Sequence, residues 1–177
     1  MDDKQILELY DSGEKRQAFN LIIRKYGERL YLHIRQMTIC HDDANDCMQN
    51  TFIRAWQAMD NFRGDSNIYT WLYRIGTNET INFLRKQKIK NVFSPIDIAA
   101  HLADDPSFNG DKAQIALQEA LSKLPPRQKA VFTMRYYDEM PYEKISEILG
   151  TSVSSLKASY HFAYTKMKKW ILNYLGD

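Results

Sequence analysis

Residues 142–169 read YEKISEILGTSVSSLKASYHFAYTKMKK, and the fold is decided there. Ile145, Ile148 and Leu149 form the apolar face of a helix of about two turns. Gly150 follows where that helix needs a left-handed terminator, a backbone state glycine adopts without a side-chain clash. Ser152 can cap the next helix, whose first apolar residues, Val153 and Leu156, turn back toward the preceding one. Short helix, glycine turn and long second helix make the helix-turn-helix pattern. The exposed positions Ser154, Ser155, Lys157, Ala158, Ser159, Tyr160 and His161 would then meet a major groove. A glycine turn alone suits an ordinary helical hairpin equally well. The cations favour DNA: Lys157, Lys166, Lys168 and Lys169 follow one another with no acid among residues 148–176.

Working outward, almost everything reads as helix, and strand-like alternation is absent over any convincing length. A helix at 112–123 ends at Leu124-Pro125-Pro126, and Pro126 suits the first turn of a helix at 127–137. Residues 91–111, NVFSPIDIAAHLADDPSFNGD, hold no Lys or Arg, four Asp, two Pro and one Gly. That composition predicts an acidic, flexible linker between two helical domains, 1–90 and 112–177. In the first domain, apolar residues from Ala18 to Met37 mark one or two helices. Asp42 or Asp43 is a candidate cap for a helix at 43–59 with the stripe Ala44, Cys47, Met48, Phe52, Ala55, Trp56 and Met59. Phe62-Arg63-Gly64-Asp65-Ser66-Asn67 carries turn chemistry, and a helix at 68–88 is expected to bury Ile68, Trp71, Leu72, Ile75, Ile81 and Leu84.

Composition narrows the function. The chain has 177 residues, 44% of them hydrophobic, which is enough apolar surface to build cores and argues against disorder. No apolar run approaches the ~18 residues of a membrane span, and the start lacks an apolar signal segment, so a cytoplasmic protein is expected. The formal net charge is only +2, but its distribution is uneven. Arg85, Lys86, Lys88 and Lys90 end the first half as the lysines above end the second, and two such clusters suit a polyanionic partner.

The first half also mixes rings and cations: Phe62, Arg63, Tyr69, Trp71, Tyr73, Arg74, Arg85 and Lys86. Tyr69, Tyr73 and Arg74 fall off the apolar stripe and Phe62 lies in a loop. Exposed rings beside arginines offer an unstacked base a face to stack on, worth ~1–3 kcal/mol per base; rings covering the edge of a core would read the same way. On the helix at 43–59, Asp46, Gln49, Asn50, Ile53 and Gln57 form a second stripe, polar around one apolar residue. It suits a partner helix or a solvated face. Catalysis finds little support. Cys40, His41, Asp42, Asp43, Asp46 and Cys47 match no zinc spacing, Cys47 belongs to the apolar stripe, and no phosphate-binding glycine loop is present. No cofactor, metal or catalytic residue is expected.

The run from Phe62 to Ile75, followed by Asn78 and Arg85, closely resembles region two of the extracytoplasmic-function sigma factors of bacterial RNA polymerase. Residues 43–56, DANDCMQNTFIRAW, resemble that family's polymerase-binding helix, and residues 124–132, LPPRQKAVF, with the helix-turn-helix resemble its region four. The resemblance implies an all-helical, two-domain transcription initiation factor with no activity as an enzyme. Asp46, Gln49, Asn50 and Ile53 would dock on the clamp helices of core polymerase. Phe62, Arg63, Gly64, Asp65, Ser66 and Asn67 with Asn78 would hold a base flipped from the minus-ten element, while Arg74, Arg85 and Lys86 grip phosphates. Ser154, Ser155, Lys157, Ser159, Tyr160, His161 and Lys166 would read the minus-thirty-five element, with region four leaning on the polymerase flap. An anti-sigma factor is a further implied partner.

The chain departs from the family pattern in places. Ser159, Phe162 and Tyr164 stand where the recognition helix usually has Arg, which weakens guanine reading. Ser146 replaces a small Ala, and Asn45 a common acid. A stand-alone helix-turn-helix regulator is the alternative, but it leaves the Phe62–Arg85 block without purpose. A metal-dependent enzyme around Cys40 and Cys47 is a second.

Overall fold

The computed structural model describes residues 1–90, 100, 102 and 110–176, and most of the expected linker lies outside them. Among the described residues the chain is helical, with no strand. The first half contains α1 (Asp3–Asp11), α2 (Lys15–Met37), α3 (His41–Ala58), a short 3-10 turn (Met59–Asn61) and α4 (Ile68–Lys90). The second contains α5 (Lys112–Lys123), α6 (Pro126–Tyr136), α7 (Tyr142–Leu149) and α8 (Val153–Gly176).

Several ends follow from local chemistry. The α1 helix opens on a capping box: the Asp2 carboxylate accepts from the Gln5 amide, and the Gln5 side chain accepts from the Asp2 amide. The apolar spacing of the sequence predicts no helix there. Asp42 and Asp43 do not cap α3; it starts one or two residues earlier, at His41, and both acids sit in its first turn, where the helix dipole favours them. Pro126 opens α6 as expected. Gly150 ends α7 at φ +64°, and the Ser152 hydroxyl accepts from the Ser155 amide to cap α8.

The first half is built on α4, which buries Ile68, Leu72, Ile81 and Leu84 as expected but differs at its centre. Tyr73 is buried and Trp71 is only half-buried, the reverse of the sequence expectation. The buried side of α4 is lined by Thr70, Tyr73, Gly76, Thr77 and Thr80 as well as Ile68 and Leu72. Gly76 permits that approach: a Cβ there would lie 2.9 Å from Leu30 Cδ1 on α2 and 3.4 Å from Thr51 Cγ2 on α3. Thr80 satisfies its buried hydroxyl by donating to the Gly76 carbonyl at 2.8 Å.

The two halves pack directly against each other. Val131, Met134, Met140, Ile145, Ile148, Leu149 and Leu156 belong to the same apolar cluster as Ile22, Leu30, Ile34 and Leu72. A smaller cluster, Ala120, Leu121, Leu124, Phe132, Ala163 and Met167, holds α5, α6 and α8 together. Polar groups fasten the joint. His33, fully buried on α2, has Nδ1 2.8 Å from Asp138 Oδ2 and Nε2 2.9 Å from Thr77 Oγ1. An ionised carboxylate can only accept, so the Nδ1 proton is donated to Asp138. The Lys144 ammonium donates to the Thr70 hydroxyl, and Arg74 Nη2 donates to the Glu147 carbonyl at 2.6 Å.

Asp138→Ala is therefore expected to cost about 1–3 kcal/mol in urea unfolding, because a buried imidazole N–H loses its acceptor. Replacing both partners, His33→Leu with Asp138→Leu, is expected to recover part of that loss. An unchanged urea midpoint for Asp138→Ala would contradict the joint.

Candidate nucleic-acid and partner interfaces

Three surfaces collect the residues singled out in the sequence. On α3, Asp46, Gln49, Asn50 and Ile53 are all exposed on one face, and Ile53 is 55% exposed despite being apolar. Trp56, expected inside, is 39% exposed and rests edge-on against Phe19 with ring centroids 5.2 Å apart. Lying three residues beyond Ile53, it widens the apolar part of this face.

The second surface runs from the loop after the 3-10 turn onto α4. Phe62 leans on Trp71 with ring centroids 5.1 Å apart. Arg63, Gly64 and Asp65 are exposed and Ser66 is half-buried; Gly64 has φ +76°, a conformation that favours glycine. Asn67 is engaged locally: its Oδ1 accepts from the Thr70 amide at 2.8 Å and caps α4. Phe62, Arg63 and Gly64 line a cleft of about 430 Å³ together with Tyr10 and Lys15. Asp60 sits in its wall. The Lys15 ammonium at 2.5 Å and the Tyr10 hydroxyl at 2.8 Å hold the Asp60 carboxyl below its usual range.

Asn78 lines a second cleft of about 480 Å³ with Gln57, Asn61 and Asn82, walled by the Arg54–Glu79 ion pair at 2.5 Å. Asn61 and Phe62, consecutive in the chain, line one cleft each. The exposed side of α4 carries Arg74, Asn78, Asn82 and Arg85, flanked by Trp71 and Ile75; Lys86 is exposed one residue on. The rings meant for this surface, Tyr69 and Tyr73, turn inward. Tyr73 stacks on His33 at 4.7 Å, and burial pushes its hydroxyl far above the ordinary range. The Arg29 guanidinium covers Tyr69 at 4.6 Å. Trp71 takes their place, and with Asn82 it is the part of this surface that sequence reasoning missed. Its position one helical turn from both Asn67 and Ile75 was the available signal.

The third surface is α8. Ser154, Ser155, Lys157, His161 and Lys166 are exposed, and Ser159 is half-buried. Tyr160 is turned inward, stacked on Phe132 at 5.8 Å and edge-on to Tyr142 at 6.3 Å, so it supports the helix instead of facing outward. The turn before α8 is pinned from both sides. Arg127 donates to the Leu149 carbonyl at 3.1 Å and the Thr151 hydroxyl at 2.6 Å, and Ser146 donates to the Thr151 carbonyl at 2.6 Å. The hydroxyl at position 146 thus has a structural use.

Among the described residues, no group of three or more His, Cys, Asp or Glu side chains is placed to hold a metal ion. Cys47 is buried, which pushes its thiol up to about 12. The thiolate is the nucleophile and metal ligand, so at neutral pH Cys47 is inert. Alkylation of the native protein is expected to leave Cys47 unmodified until urea is added, a result readable by peptide mass. Among the described residues, no helix is long and apolar enough to cross a membrane.

Residues 22–89 match the family described as Sigma-70 region 2, and residues 114–167 match Sigma-70, region 4. The RNA polymerase sigma factor YlaC of Bacillus subtilis (strain 168) is 31% identical over 160 residues, covering 87% of this chain and 92% of the relative. The RNA polymerase sigma-H factor of Pseudomonas aeruginosa is 29% identical over 172 residues, 88% of this chain and 86% of its own. The ECF RNA polymerase sigma-E factor of Escherichia coli (strain K12) is 29% identical over 172 residues, 89% of this chain and 88% of its own. Among solved structures, CnrH in complex with the cytosolic domain of CnrY superposes with a TM-score of 0.67 at 24% identity, covering 94% of this chain and 95% of that one. RpoE in complex with the anti-sigma factor NepR from Bartonella quintana gives 0.65 at 22% identity, covering 89% and 96%.

The two matched regions, in order on one chain that is helical among its described residues, define a transcription initiation factor. The chain belongs to the sigma-70 family of RNA polymerase sigma factors, in its extracytoplasmic-function group. Members of that family are transcription factors without enzymatic activity.

Proposed function

We propose that this chain binds core RNA polymerase, directs it to specific promoters and opens the DNA there, with no catalysis of its own. The observation that carries this reading is the presence of both sigma regions in order on one chain, each with an exposed surface suited to its part. A stand-alone helix-turn-helix regulator would leave residues 22–89 without a task.

Three parts divide the work: region two in residues 1–90, a linker in 91–111 and region four in 112–177. The face of Asp46, Gln49, Asn50 and Ile53, extended by Trp56, docks on the polymerase clamp helices. The clefts around Phe62 and Asn78 receive a base extruded from the minus-ten non-template strand. Extrusion costs a few kcal/mol, and stacking on the Phe62–Trp71 pair with amide contacts to the base edge offsets it. Arg74, Arg85 and Lys86 hold phosphates, α8 enters the major groove of the minus-thirty-five element, and region four leans on the flap. The setting is the cytoplasm. An anti-sigma factor is a further partner, supported by the two structural neighbours solved in complex with other proteins.

The packed joint between the halves has a consequence for this function. Elements near minus ten and minus thirty-five lie about 25 base pairs apart, roughly 85 Å along B-DNA at ~3.4 Å per pair. A folded body of this length has a radius of gyration of ~16 Å, too small to touch both. The halves therefore separate on the polymerase, which frees Arg74 from the Glu147 carbonyl for its phosphate. Transcription in vitro with core polymerase, followed by mapping of start sites, tests the proposal. Defined starts that depend on this chain support it, and an unchanged transcript pattern overturns it.

A further inference from the structure

The outward face of α8 has an unusual chemistry for a groove-reading helix. Its inward side is fixed by Leu156, Ala163 and Met167, which are all buried. At 3.6 residues per turn the opposite side presents Ser154, Ala158, His161 and Thr165, with Phe162 beside them. The Phe162 ring is 59% exposed. Tyr164, the other exposed ring nearby, lies about 160° around the helix and does not join it in a single apolar patch. The Thr165 hydroxyl donates its proton to the His161 carbonyl at 2.9 Å, so toward the groove it can only accept, and its methyl is the apolar group it offers.

The surrounding charge says what this face meets. Lys157, Lys166, Lys168 and Lys169 are all exposed, and residues 148–176 contain no acid and no arginine. Cations around an apolar ring fit a polyanion with an apolar feature in its groove. In the major groove of DNA that feature is the C5-methyl of thymine, and alanine, threonine methyl and phenylalanine are the side chains that contact it. The centre of the face lacks the guanidinium that reads guanine O6 and N7 bidentately.

We infer that α8 selects its upstream element through thymine C5-methyl groups, with Phe162 as the main specificity-determining residue and Ala158 and Thr165 beside it. This rests on the proposed placement of region four in the major groove and names what is read there. Lys157, Lys166, Lys168 and Lys169 then supply affinity through phosphates, a salt-dependent term without sequence information.

The test uses holoenzyme assembled from the full chain and core polymerase. Upstream elements are selected from a randomised duplex, and each selected thymine is then replaced by deoxyuridine, which removes the methyl and keeps every hydrogen-bonding group. Wild-type holoenzyme is expected to lose about fourfold in affinity per contacted methyl, the ratio a buried methyl group supports. In Phe162→Ala that penalty should vanish at one or two positions, and in Phe162→Leu part of it should return. Selection of an upstream element with no penalty for deoxyuridine, or a penalty that persists unchanged in Phe162→Ala, overturns the inference alone. A holoenzyme that selects no upstream element overturns it together with the major-groove placement.

Discussion

Changing Asp46 and Gln49 to alanine together is expected to weaken binding to core RNA polymerase by about tenfold or more, roughly 1.4 kcal/mol or above. Both side chains are exposed on the same face of α3 as Ile53, which Trp56 follows three residues on. An apolar centre ringed by hydrogen-bonding groups concentrates binding energy in a few residues, and removing two of the ring admits water to the centre. Surface substitutions of this kind usually shift folding stability by less than about 0.5 kcal/mol, so the melting temperature should stay put. Titration of labelled variant with core polymerase, beside a thermal melt, separates the two effects. Unchanged affinity would place the docking face elsewhere.

Phe62→Ala is expected to lower open-complex formation by about ten- to a hundredfold while leaving polymerase association intact. The ring contributes through stacking, worth ~1–3 kcal/mol for a base on an aromatic face. Phe62 is half-buried at the rim of the core, against Trp71, so truncation removes a platform and leaves the buried centre of the domain in place. Permanganate reactivity of unpaired thymines near the start site reads opening, and co-elution with polymerase reads association. Loss of both together would instead indicate a misfolded first half. Asn78→Ala should follow the same pattern, since Asn78 lines the second cleft proposed to receive the base.

The second half was legible in the sequence because its signals are local. Gly150, Pro126 and the Ile145, Ile148, Leu149 stripe act within a turn or two of themselves, and α7 and α5 run over the expected residues. The first half was less so. On α4, Ile68, Leu72, Ile81 and Leu84 are buried as expected, but Tyr73, Gly76, Thr77 and Thr80 fill the rest of that face while Trp71 and Ile75 sit at its edge, because the hydropathy of a threonine or glycine does not announce burial. Each buried threonine is paid for by a specific partner, Thr80 by the Gly76 carbonyl and Thr77 by His33. His33 and Asp138 are 105 residues apart, and no periodicity reports such a pair. The α1 helix was written in Asp2 and Gln5, whose capping box is visible only when the pair is sought. Of the candidate site residues on helices, most are exposed and Ser159 is half-buried; Asn67 and Tyr160 are drawn into capping and ring packing that only the tertiary context reveals.

Purified full-length chain mixed with core polymerase freed of other sigma factors, then passed over a size-exclusion column, decides whether the two helical halves serve transcription initiation. The chain should co-elute with the polymerase in stoichiometric amount, and the complex should start RNA at defined promoter positions. A chain that elutes alone, and leaves the polymerase as unselective as before, would contradict this.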